Sequence, residues 1–150
     1  VPKAKIITPN QFELEYLTER SIRTLEDAKE ACRAAHEMGP ETVLLTSLLH
    51  DHAKDDEIQM LASSKSGEQY LVTTPKLPLD PAPNGAGDFT AALFLAHNLS
   101  GASLKDSLAK TAASVFALFE ETQKAGTREL ALIQAQDRLA NPMPLTIMAL

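Results

Sequence analysis

Two short β-prone runs, residues 4–8 (AKIIT) and 42–47 (TVLLTS), constrain this fold more than any other feature. Each is apolar and bounded by turn-forming residues, which is typical of a strand buried on both faces of a sheet. Helical patterns occupy the chain between them. Strand, helix and strand in that order form a crossover unit, in which the two strands are parallel. The sequence therefore predicts an α/β fold with a parallel βαβ unit.

Two helices are predicted inside that crossover. The stretch PNQFELEYLTER places Phe12, Tyr16 and Leu17 on one helical stripe. The stretch TLEDAKEACRAAHEMG has Thr24 at the N-cap, an acid three residues later, and Gly39 as a stop.

The second half of the chain changes character. EIQMLASS and EQYLVTT flank KSG, which predicts a β-hairpin with Gly67 in the turn. A proline-rich loop over 75–85 precedes a helix from about Asp88 to Leu99, and a long helix over 103–126 begins at Ser103. ELALIQ fits a last strand or a helix start, AQDRLANP fits a short helix, and the apolar tail MPLTIMAL stays unassigned.

Composition narrows the class of protein. The chain has 150 residues, 44% hydrophobic, enough for one domain with a core. A net charge of −6 without a basic stripe argues against nucleic acid as the main partner, and no apolar run is long enough to span a membrane. The one cysteine, Cys32, lies in a helical pattern as a small core residue, which suits a reducing cytoplasm.

The tetrapeptide Gly85-Ala86-Gly87-Asp88 joins the proline-rich loop to a helical pattern. The glycines permit a tight turn and close approach to a ligand, and the first N–H groups of the helix suit an anion such as phosphate. Asp88 could accept a proton from a substrate hydroxyl. Alternatively, the glycines only turn the chain and Asp88 caps the helix. The tetrapeptide alone does not separate these two interpretations.

Polar residues follow both strands of the predicted parallel pair, at the end where α/β proteins bind ligands. In TPNQFE, Asn10 can donate to phosphate and Glu13 can hold a magnesium ion or its water, although taken alone a capping role for both is the stronger interpretation. Thr46 and Ser47 end the second strand, where their hydroxyls either contact phosphate or form an ordinary polar strand end.

The sequence gives less support to a zinc site, a histidine-based site or a P-loop. His50 and His52 lie in a charged stretch without the further ligands of a zinc site, and His36 and His97 are lone histidines at predicted helix ends. The chain has no Gly-x-x-x-x-Gly-Lys-[Ser/Thr] loop, which argues against a P-loop kinase.

Taken together, three stretches resemble a known family. ITPNQFELEYLT, GPETVLLTS and NGAGDFTAALFLAHNLSGASLKDSL resemble the C-terminal half of the ribokinase-like superfamily and, within it, the pyridoxal kinases. TPNQFELEYL is the specific signal, whereas GAGD alone points only to the superfamily. The resemblance covers Ile6 to about Pro142 and implies a three-layer α/β/α fold.

The resemblance implies ATP-dependent phosphorylation of the 5′-hydroxyl of pyridoxal, pyridoxine or pyridoxamine in the cytoplasm. It implies ATP and Mg²⁺ as cofactors and leaves a K⁺ ion open. Asp88 would be the catalytic base, with Gly85, Ala86 and Gly87 as the anion hole. The implied nucleotide-binding residues are Thr8, Asn10, Glu13, Thr46, Ser47, Thr74, Lys76, Leu77, Ala112 and Val115, with Glu13 also at the magnesium ion.

Members of this family are roughly twice as long as this chain. We therefore expect residues 1–150 to form a single partial domain that holds the nucleotide and the catalytic base. The N-terminal half, which would supply the vitamin pocket, the lid and most of a homodimer interface, is expected to be absent. Two alternatives stay open: another ribokinase-like kinase acting on hydroxymethylpyrimidine or a sugar, and a nucleotide-binding fragment without turnover.

Overall fold

A computed structural model describes residues 1–79, 83–143 and 145–150. Within them the strands are β1 (Ile6–Ile7), β2 (Thr42–Leu48), β3 (Glu57–Ser64), β4 (Gln69–Pro75) and β5 (Ile147–Ala149). The helices are α1 (Gln11–Thr18), α2 (Leu25–Glu37), α3 (Ala86–Leu99), α4 (Leu104–Ala125) and α5 (Leu132–Ala140).

The five strands form one sheet in the order β1-β2-β3-β4-β5. β1 and β2 are parallel, so the predicted βαβ unit is confirmed, although β1 is shorter than the predicted 4–8 run. β3 and β4 form the predicted antiparallel hairpin, and Gly67 adopts a positive φ of 102° in its turn. The unassigned tail supplies β5, which pairs antiparallel with β4.

Helices cover both faces of the sheet. Side chains alternate along a strand, so Val43 and Leu45 face α1 and α2, whereas Leu44 between them packs with residues of α3 and α4. All three side chains are fully buried. The predicted three-layer α/β/α arrangement is therefore confirmed.

The predicted caps hold in two helices and fix where they start. At α2, the Thr24 hydroxyl oxygen accepts from the Asp27 N–H at 3.1 Å, and the Asp27 carboxylate accepts from the Thr24 N–H at 2.8 Å. These two bonds form a complete capping box. Ser103 caps α4 by accepting from the Asp106 N–H.

ELALIQ contains a helix start rather than a strand, because α5 begins at Leu132. Of the helices described, none is both long and apolar enough to cross a membrane.

The first helix departs from its predicted orientation. Leu14 is the buried residue of α1, whereas Phe12 and Tyr16 are 74% and 81% exposed. The predicted stripe of Phe12, Tyr16 and Leu17 therefore does not face the core of this chain. Helical periodicity identifies an apolar face, and it does not show which surface covers that face.

Candidate functional site

A cleft of about 270 Å³ opens between the carboxyl end of β2, the β3–β4 hairpin, the start of α3 and one face of α4. We call it the central cleft. It brings together residues that are far apart in sequence, from Thr46 to Phe119. The predicted site residues that line it are Thr46, Ser47, Thr74, Lys76, Leu77, Ala86, Gly87, Ala112 and Val115.

The end of β2 is irregular where it meets the central cleft. The register with β3 shifts between Leu45 and Leu48, and Ser47 has a φ of +54°, a left-handed conformation that is unusual for serine. The Thr46 N–H donates to the Pro9 carbonyl at 2.9 Å, which joins this strand end to the start of α1. This bulge leaves Ser47 exposed at the mouth of the cleft.

The start of α3 forms the opposite end of the cleft. Gly85 is its N-cap with a φ of +84°, and among the described residues no side chain caps the first turn. Asp88 is exposed in that turn and does not cap the helix, so the alternative capping role is wrong. A Cβ added at Gly87 would meet no heavy atom within 4 Å. Because the first turn is uncapped, its backbone N–H groups and the positive end of the helix dipole are available to an anion, and the space at Gly87 lets that anion approach the backbone.

Apolar side chains that the sequence analysis missed form much of the wall. Ile58 and Met60 come from β3, and Phe116 and Phe119 come from α4. Phe116 and Phe119 continue the helical spacing of Ala112, but that spacing alone does not distinguish a cleft wall from a core. Ile58 and Met60 lie two apart on one face of β3, next to β4, which supplies Thr74.

The hairpin end and the following loop complete the cleft. Thr74 is buried, and Lys76 and Leu77 follow it along the same wall. Leu79 and Pro83 also line the cleft. Residues 80–82 of the predicted proline-rich loop lie outside the described part of the chain.

Asn10 and Glu13 form a capping box at α1. The Asn10 side chain accepts from the Glu13 N–H at 2.9 Å, and a Glu13 carboxylate oxygen accepts from the Asn10 N–H at 2.8 Å. The capping interpretation is therefore present in the structure. Glu13 and Thr8 line a separate hollow of about 530 Å³ beside β1, which we call the β1 hollow.

His36, His50 and Cys32 lie outside the central cleft, where each has a local structural environment. His36 is buried, where its Nδ1 donates to the Pro40 carbonyl at 2.8 Å and its Nε2 accepts from the Ser63 hydroxyl at 2.9 Å. Nε2 of His50 lies 3.0 Å from Oε1 of Gln59. Burial raises the pKa of the Cys32 thiol to about 12, so this thiol is unreactive at neutral pH. Among the described residues, no group of three His, Cys, Asp or Glu side chains could hold a metal ion.

Comparison with known proteins identifies the family of this chain. The family model described as phosphomethylpyrimidine kinase matches residues 1–132. Pyridoxal kinase PdxY of Rubrobacter xylanophilus is 49% identical over 143 residues, which are 95% of this chain and 48% of the relative. Pyridoxal kinase PdxY of Corynebacterium diphtheriae is 48% identical over 142 residues, 95% of this chain and 49% of the relative. The chain thus spans about half the length of the curated relatives it matches.

Solved structures show the same architecture. Pyridoxal kinase of Leishmania donovani in complex with ADP superposes with a TM-score of 0.88 at 25% identity, covering 99% of this chain and 52% of that one. Pyridoxal kinase of Entamoeba histolytica superposes with a TM-score of 0.82 at 25% identity, covering 97% of this chain and 51% of that one.

Proposed function

We propose, because the chain belongs to the phosphomethylpyrimidine kinase family, that it carries the ATP site and the catalytic base of a kinase. The acceptor in this proposal is the 5′-hydroxyl of pyridoxal or a related B6 vitamer, and the product is its 5′-phosphate. The central cleft carries the proposal, because it joins an apolar wall to an uncapped helix start. A cytoplasmic location and a homodimeric full-length enzyme belong to the same proposal.

The two ends of the central cleft suit the two ends of a nucleotide. Apolar side chains from β3 and α4 line one part, and a purine ring is a flat apolar group that such walls accommodate. Ala86 and Gly87 at the start of α3 line another part, where backbone N–H groups favour phosphate. We infer that the base lies between the sheet and α4 and that the phosphates reach α3. The Leishmania donovani relative was solved in complex with ADP, which supports nucleotide binding by this fold.

Asp88 is the proposed general base. It is exposed in the first turn of α3, directly after Gly87 of the cleft. In phosphoryl transfer, a carboxylate that accepts the proton of the attacking hydroxyl makes that oxygen a better nucleophile. The neighbouring backbone N–H groups would stabilise negative charge on the transferring group. Base and anion site therefore share one helix turn.

Glu13 fits a magnesium ion held mainly by nucleotide phosphates. One of its carboxylate oxygens is engaged in the α1 cap, and its side chain is exposed. Mg²⁺ is commonly bound through one or two carboxylates, retained waters and substrate phosphates, so one exposed carboxylate suffices. When bound, the ion would neutralise phosphate charge. Glu13 lies outside the central cleft, but Thr46 of the cleft donates to the Pro9 carbonyl just before α1. Glu13, with Asn10 and Thr8, would therefore hold the ion through water at the β2 end of the cleft.

A pyrimidine is the second candidate acceptor: the family description names phosphomethylpyrimidine, and the sequence left hydroxymethylpyrimidine open. The relatives favour pyridoxal, since those with 41–49% identity are named pyridoxal kinase. A nucleotide-binding piece without turnover is the non-catalytic alternative. Comparing pyridoxal with hydroxymethylpyrimidine as acceptors under Mg-ATP, and measuring phosphorylated product, separates these three outcomes.

We further propose that the rest of the relatives' fold lies against β1. β1 is an edge strand paired only with β2 in the described sheet, and an unpaired strand edge is a template for another strand. Phe12 and Tyr16 project from α1 into solvent and line the β1 hollow next to that edge. Neighbouring aromatic side chains this exposed mark a surface that a partner covers. The occupant proposed is the portion of the family fold that this chain does not match.

Single-cysteine labelling tests this docking surface. Cys32 is buried with a raised pKa, so a thiol introduced by Tyr16→Cys is expected to be the reactive one. We expect its labelling by a thiol reagent to slow by about tenfold or more in a joined chain. The joined chain carries, ahead of Val1, the part of the Rubrobacter xylanophilus relative that the match leaves uncovered.

Ile133→Cys is the matched control, because Ile133 is 79% exposed on α5 and is expected to label equally fast in both proteins. Equal protection of both positions, or of neither, would refute the assignment of this surface.

The apolar wall gives a further prediction. Phe119→Ala is expected to weaken ADP binding by about five- to tenfold, because it removes an aromatic side chain from the base end of the central cleft. Binding of pyrophosphate should not change. Calorimetry with each ligand measures both affinities, and an equal loss for the two ligands would contradict the placement of the base.

A further inference from the structure

We propose that Gln11 is a positioning residue, whose side-chain amide fixes the end of β2 where it forms the central cleft. The proposal concerns the nucleotide site and therefore rests on the function proposed above. Gln11 is the first residue of α1 and does not itself line the cleft.

The Gln11 amide bridges two loops. Its Nε2 donates to the Ile22 carbonyl at 3.0 Å, in the loop between α1 and α2. Its Oε1 accepts from the Leu49 N–H at 2.9 Å, in the loop directly after β2. One side chain thus ties the end of β2 to the segment that follows α1.

This tie matters because Ser47 is held in a left-handed conformation, with φ at +54°. Non-glycine residues rarely adopt such a conformation, so surrounding contacts must maintain it. On one side of Ser47, the Thr46 N–H donates to the Pro9 carbonyl at 2.9 Å. On the other side, Leu49 donates to Gln11. Residues 9–11 therefore hold the strand end on both sides of Ser47.

Glutamine suits this position because its amide both donates and accepts. Glutamate would keep an acceptor for the Leu49 N–H but would lose the donor to Ile22. Leucine would lose both bonds. The two substitutions therefore separate the contact with the β2 end from the contact with the α1–α2 loop.

Glu15 provides a matched control on the same helix. One of its carboxylate oxygens accepts from the Ile22 N–H at 2.6 Å, so it fastens the same α1–α2 loop. Glu15 is not among the cleft residues, and its bond does not involve Leu49. Glu15→Leu should loosen the α1–α2 loop and leave the end of β2 in place.

The test measures Mg-ADP affinity by calorimetry, together with amide hydrogen exchange in the ligand-free protein. We expect Gln11→Leu to accelerate exchange at Leu49 and to weaken Mg-ADP binding by about five- to tenfold. Gln11→Glu should retain more affinity than Gln11→Leu. Glu15→Leu should lower the melting temperature without changing affinity.

Three results would overturn the proposal: unchanged exchange at Leu49 in Gln11→Leu, unchanged affinity in Gln11→Leu, or an equal affinity loss in Glu15→Leu. Failure of the unsubstituted chain to bind Mg-ADP would instead refute the proposed function, and this inference with it. The exchange measurement needs no nucleotide, so it shows separately whether Gln11 holds the end of β2.

Discussion

Replacing Asp88 by asparagine is expected to lower phosphoryl transfer to pyridoxal by about 10²- to 10⁴-fold, the usual contribution of a positioned general base. Asparagine keeps the size of the side chain and removes its capacity to take a proton at neutral pH. Asp88 makes no cap bond at α3, so this substitution should cost the fold little. Nucleotide affinity should stay close to that of the unsubstituted protein.

Asp106→Asn is the control for this effect. Asp106 lies in the first turn of α4 as Asp88 does in α3, and both side chains are exposed. Any general influence of an acid on a helix start should therefore appear in both variants. The measurement is pyridoxal phosphate formation under Mg-ATP in the joined chain. If Asp88→Asn turned over as fast as Asp106→Asn, Asp88 would not be the general base.

Gly87→Ala is expected to change stability and activity in opposite directions. A Cβ at this position meets no heavy atom within 4 Å, and alanine favours a helix over glycine by about 1 kcal/mol. The melting temperature should therefore rise slightly. The added methyl group would lie at the start of α3, where the backbone is proposed to approach the transferring phosphoryl group. We expect turnover to fall by about 10²-fold, since small displacements of reacting groups are costly.

Thermal unfolding and turnover measured on the same preparation check this prediction. A fall in both quantities would indicate damage to the helix start rather than obstruction of an anion site. A more stable variant with undiminished turnover would show that the phosphoryl group does not approach Gly87.

Local patterns predicted most of the fold. Thr24 and Asp27 fix the start of α2 because a capping box is formed by neighbours in sequence. The β3–β4 hairpin followed from two β-prone runs around a glycine turn. β5 was missed because its pairing with β4 joins residues about 75 positions apart, and no local signal reports that contact.

The site was predicted in part, for a comparable reason. The polar end of the second strand indicated Thr46, and the resemblance supplied Thr74 and Ala112; the structure places all three around one cleft. Phe119 was missed, because an aromatic residue on a long helix has the same pattern whether it lines a cleft or a core. The exposure of Phe12 was also unpredictable, since it depends on which surfaces this chain leaves uncovered.

Amide NMR of the chain titrated with Mg-ADP tests the central claim most directly. The central cleft, as a nucleotide site, should show shift changes at Ser47, Thr74, Gly87 and Val115, which come from four different elements of one cavity. A separate hollow lies between the start of α4 and the end of α5 and is lined by Asp106, Lys110 and Ala140; these residues should not respond. Shift changes confined to that hollow, or none at millimolar nucleotide, would contradict the assignment of the central cleft to ATP.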